Sequence, residues 1–132
     1  MRAEFAAVRA ALDAALTWTV YDTTVPTAPT FPYVLLWGSG GMASTETLAG
    51  AADLSDRLGV TMAAGTADGV RQVIAATRAV LDGLTLTVEG RHVELHLWDS
   101  RAIQVDLGVT IPGTSTHPAF AVDIYTLTSV PL

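Results

Sequence analysis

A chain of 132 residues is long enough for one domain with its own core and too short for two, and no shift in composition divides it. Without a cysteine it has neither a disulfide framework nor a thiolate metal site, and a reducing cytoplasm suits it. Seven arginines, no lysine and thirteen acids give a formal charge of −6, so the basic footprint of a phosphate-binding protein is missing.

Charged residues make up 15% and hydrophobic ones 50%, against about 25% and about 45–50% in an ordinary domain. So little charge covers a surface thinly, which predicts that apolar surface is buried in an oligomer or assembly. Many small alanines can produce the same figure without a partner. The opening Met1-Arg2-Ala3-Glu4-Phe5, with Arg9 and Asp13 following, predicts neither a secretory leader nor a membrane span.

Phe5, Val8, Leu12, Ala15 and Leu16 recur on one face of a helix from Arg2 to Leu16. Thr17 to Asp22 is β-branched and aromatic, and Pro26, Pro29 and Pro32 then hold the chain extended. Tyr33-Val34-Leu35-Leu36-Trp37, opened by Pro32 and closed by Gly38, predicts a buried strand. Gly38 to Ala52 is too long for a hairpin turn and nearly free of charge. Gly38-Ser39-Gly40-Gly41 lacks the lysine and the following helix that a phosphate loop requires. A mobile assembly arm is expected there.

Leu58, Val60, Met62 and Ala64 alternate along a strand from about Leu54, the antiparallel partner of the first. Thr66 stands at an N-cap, Asp68 in the first turn, and Val70, Val73, Ile74, Thr77, Val80 and Leu81 at helical spacing up to Asp82-Gly83. Leu84 to Val88 and His92 to Trp98 form a hairpin about Glu89-Gly90. Asp99-Ser100 breaks the strand, and Ile103, Val105, Leu107, Val109 and Ile111 resume the alternation to Pro112-Gly113. Phe120 to Leu127 is the last strand. The fold class is therefore α+β, a mixed, mostly antiparallel sheet packed by an N-terminal and a central helix.

His92, Glu94 and His96 share one face of a strand, and two imidazoles with a carboxylate suit zinc or iron(II). A half-exposed strand carries such residues without a ligand, however, and only Asp99 and a distant His117 remain as a fourth. No metal site is expected, with a metal- or small-ligand-binding domain built on these three kept as an alternative. No serine lies in a nucleophile elbow, and Asp53 and Asp56 read as a strand entry or surface charges. No catalytic residue, cofactor or enzymatic role is assigned.

The order of these pieces, with Val20-Tyr21-Asp22, the prolines before Pro32-Tyr33-Val34, Leu84-Thr85-Leu86-Thr87-Val88-Glu89-Gly90-Arg91 and Ala121-Val122-Asp123-Ile124-Tyr125, resembles the tail terminator (tail completion) proteins of long-tailed bacteriophages, in particular those infecting high-GC actinobacteria. The resemblance covers nearly the whole chain. It implies a non-enzymatic virion protein at the head–tail junction, assembled in the host cytoplasm. It implies a ring, of six subunits, that caps the tail tube, ends its polymerisation and meets a connector or stopper of the neck. A connector or stopper role for the chain itself belongs to the same class. Partners would be copies of itself, the major tail tube protein and the neck protein, with DNA passing through the ring unread and no membrane involved. On that basis Met42, Leu48, Arg71 and Arg78 are expected at interfaces, and Glu46, Asp53 and Asp56 toward an acidic channel.

Overall fold

The computed structural model describes residues 1–38, 42–43 and 53–132, with Met42 and Ala43 as backbone only. Helix α1 runs Arg2–Ala15, strand β1 Thr19–Asp22, β2 Tyr33–Gly38, β3 Met42–Ala43 and β4 Leu54–Ala64. Helix α2 follows at Ala67–Leu81, then β5 Thr85–Val88, β6 Arg91–Ser100, β7 Gln104–Val105 and β8 Ala119–Pro131.

Thirteen residues long, with alternating burial from Ala119 to Val130, β8 is the axis of the sheet, in the order β1-β2-β4-β8-β6-β5. One face of β8 is buried at Ala119, Ala121, Asp123, Tyr125, Leu127 and Ser129. It pairs antiparallel with β4 from Ala64↔Ala119 to Leu54↔Ser129, and with β6 on its other side. The neighbouring β2 pairs antiparallel with β4, as the alternation predicts, while β1 and β2 are parallel. The proline-rich link between them lets two parallel strands meet without a crossover helix. Glu89 and Gly90, both at positive φ, turn β5 into β6.

Both helices lie on one face of this mixed sheet. The Thr66 hydroxyl accepts the Gly69 N–H at 3.0 Å and starts α2, which buries Val70, Val73, Thr77 and Leu81 against β4, β8 and β6. α1 lies beside α2, buries Glu4, Val8 and Leu12, and touches both edge strands, β1 and β5. The sheet therefore curls around the helix pair, enclosing one continuous core that includes Val34, Leu36, Val60, Met62 and Leu95.

Three expectations are corrected. Asp99-Ser100 does not end β6: a bulge between Leu97 and Asp99 absorbs the break and pairing continues to Ser100↔Asp123. The alternation from Ile103 to Ile111 is not a long strand, since only Gln104 and Val105 pair with β8. Asp106 stops it, because its carboxylate captures the Gly108 N–H at 3.1 Å while its carbonyl accepts from Val109, closing a turn. The last strand also runs past Leu127 to Pro131, paired with β4 as far as Ser129 and with β6 to its end.

Candidate interaction surface

The sheet face opposite the helices carries no helix among the described residues, and its centre is apolar and aromatic. Trp37 lies across Gly59 of the adjoining strand, where an added Cβ would collide with the indole, and its Nε1 donates to Thr61 Oγ1 at 3.1 Å. Trp98, 59% exposed, is covered by the Arg57 guanidinium at 3.8 Å from the ring centroid. Exposed tryptophan and arginine are the residue types on which protein interfaces concentrate their energy.

On the β6 edge of this face, His92 Nε2 sits 2.8 Å from Glu94 Oε1 and His96 Nε2 3.5 Å from Oε2. Hydrogen bonds from His92 first, then His96, hold the Glu94 carboxyl below its ordinary range. The carboxylate bridges the two rings, and no cluster with metal-holding geometry occurs among the described residues.

At the other end the face is bounded by the proline-rich link and the 106–118 segment, which enclose a cleft of about 340 Å³. Phe31, Tyr33 and Phe120 wall it, with Pro26, Pro29 and Pro118, and Asp106 is its one charged lining residue. The rings of the wall pack on one another: Tyr33 meets Tyr21 edge to face at 5.5 Å and Phe31 at 5.2 Å. Burial, and then the Asp106 charge, raise the Tyr33 phenol above its usual pKa. Beside the cleft, Val105 and Leu107 are 58% and 74% exposed. Sequence reasoning missed this site because a strand assigned to 103–111 would have paired, not projected; the Asp106-x-Gly108 turn was the available signal.

Of the expected interface residues, Arg71 is exposed on α2. Arg78 makes two parallel hydrogen bonds of 2.8 Å to Asp123 of its own chain and a third to Ser100. Met42 pairs with Ser55 through its backbone, while Leu48, Glu46 and most of the expected arm lie outside the described residues. Asp53 and Asp56 are half-buried at the start of β4, and Asp56 Oδ1 accepts the Arg57 N–H. Among the described residues, Met42, Asp53 and Asp56 lie together at the start of β4, while Arg71 and Arg78 are on α2.

No family model matches the chain, and no curated protein matches it by sequence. Its fold, a curled mixed sheet on two helices, is shared with a solved structure described as the virion of a native gene transfer agent particle. The match covers 96% of this chain and 86% of that one, with a TM-score of 0.58 and 14% identity. At that identity the two chains have the fold in common. No helix is long and apolar enough to cross a membrane among the described residues.

Proposed function

We propose that this chain is a structural subunit of a phage-like tail: a terminator that forms a ring, six-fold in the resembling family, caps the tail tube and joins the tail to the neck. The observation that carries the proposal is the fold shared along nearly the whole chain with a virion component. The open sheet face with Trp37 and Trp98, and the projecting Val105 and Leu107, supply apolar surface for subunit or tube contacts. Arg71 meets a neighbouring subunit, and Met42 and Leu48 contribute apolar contacts to the tube. Arg78 acts at the interface only through the part of its guanidinium left free by Asp123. Glu46, Asp53 and Asp56 turn toward a channel kept neutral or negative so that DNA is not retained.

Native mass spectrometry and negative-stain microscopy of the purified chain, alone and with tubes of the tail protein encoded beside it, test this. Rings, or density closing the tube end, are expected. A monomer that ignores tubes overturns the reading, and binding to a neck protein but not to tubes would make it a connector or stopper instead.

A further inference from the structure

Building on the ring reading, we infer that the aromatic cleft holding Asp106 is the subunit-to-subunit lock of the ring, and that its occupant is the Arg71 side chain of the adjacent copy. The cleft is of side-chain size, is walled by Phe31, Tyr33 and Phe120, and presents a carboxylate that no arginine or histidine pairs with among the described residues. Aromatic faces with one carboxylate suit a guanidinium, which stacks on rings through its plane and donates to an acid through its edge. A neutral apolar side chain would desolvate the Asp106 charge and leave it only the Gly108 N–H as a partner.

The chain supplies such a group. Five arginines are engaged within the subunit: Arg9 with Asp13 and Asp22, Arg57 over Trp98, Arg78 with Asp123, Arg91 with Glu4, and Arg101 with Asp99. Arg71 is exposed on α2, without an ion pair among the described residues. It rises from the helix layer, whereas the cleft opens on the opposite sheet face, so a subunit cannot fill its own cleft. Donor and acceptor on opposite sides of one molecule make a head-to-tail contact, the kind that closes into a ring when its rotation repeats. Arg2 is the other arginine without an ion pair among the described residues, but it lines a separate groove beside α1 with Asp13 and Asp22.

Charge exchange tests this directly. Arg71→Asp should keep the wild-type melting temperature, Asp106→Arg should lower it slightly through the lost Gly108 hydrogen bond, and each should raise the concentration needed for ring assembly by about a hundred-fold or more, through like charges at every contact. Rings should return in an equimolar mixture of the two variants, with the copies alternating by native mass spectrometry, and in the double variant. Asp106→Asn, which adds no charge, gives a folded reference should Asp106→Arg fail to fold, and should also weaken assembly. Wild-type rings that form equally well from every variant, or variants that the mixture does not rescue, overturn the lock while leaving the ring standing. Loss of rings in Arg2→Asp, restored by Asp106→Arg, would reassign the occupant and overturn Arg71. A wild-type chain that never assembles overturns both readings together.

Discussion

Arg78 on α2 grips Asp123 on β8 through Nε and Nη2, each 2.8 Å from a different carboxylate oxygen, although Asp123 is fully buried and the arginine side chain is 36% exposed. The pair pins the helix to the central strand. Truncation at Arg78→Ala leaves a buried carboxylate without a counter-charge. Urea unfolding should show a loss of about 2–3 kcal/mol, below the range for fully buried pairs because water reaches the guanidinium. Arg78→Met with Asp123→Leu should recover most of it; equal losses in the single and double variants would show that packing, not charge, is at stake.

Tyr125 is fully buried, and its hydroxyl has no hydrogen-bond partner among the described residues; burial raises its pKa. Removing an unsatisfied hydroxyl while keeping the ring relieves a desolvation cost. Tyr125→Phe should therefore be neutral or more stable by up to about 1 kcal/mol, read as the urea midpoint. A clear loss would mean that the hydroxyl is satisfied by bound water.

Glu4 is buried beside Ser129, Arg91 and the Met1 amine. Burial alone would raise its pKa, but hydrogen bonds from its own backbone N–H and from Ser129, with the Met1 ammonium, outweigh it and bring the carboxyl below its ordinary value. Because the folded value lies under the unfolded one, the stabilisation is complete above the unfolded pKa and is lost as pH falls through the folded one. The urea midpoint should fall between about pH 4.3 and lower values, and Glu4→Gln should flatten that part of the profile.

Gly59→Ala should push the Trp37 indole off the sheet and break its bond to Thr61. A stability loss of about 1 kcal/mol and a red shift in tryptophan emission are expected, while Trp37→Ala with Gly59→Ala should restore stability relative to Gly59→Ala alone. Unchanged emission would show that the backbone, not the indole, had given way.

The Glu94 carboxyl should return toward an ordinary pKa in His92→Ala, measured by NMR titration, with a smaller change in His96→Ala. Protein purified without chelator should carry no stoichiometric zinc or iron; near-stoichiometric metal that His96→Ala abolishes would revive the metal reading.

The helices and inner strands were legible because burial imposes a period: Val70, Val73, Thr77 and Leu81 can share a face only as a helix, and Val60, Met62 and Ala64 only as a strand. Ile103 to Ile111 carries the same strand period, yet Leu107 and Val109 face solvent because the Asp106 turn takes the backbone off β8. Apolar alternation reports what a segment buries, and does not distinguish its own core from a partner. The cleft was illegible for a related reason: Tyr33, Asp106 and Phe120 lie far apart in sequence and meet only through the pairing of β2, β4, β7 and β8.

The strand at the centre of the sheet is also the last in chain order among the described strands. β4 and β6 have no other link in the ladder than β8, and the hydroxyl of Ser129 reaches back across 125 positions to Glu4. A nascent chain halted before Ala119 is therefore two unconnected β fragments, and it lacks the Phe120 wall of the cleft. Long-range closure of this kind slows folding and makes it all-or-none. A product ended before Ala119 therefore cannot complete this sheet, whatever else of the chain has been made.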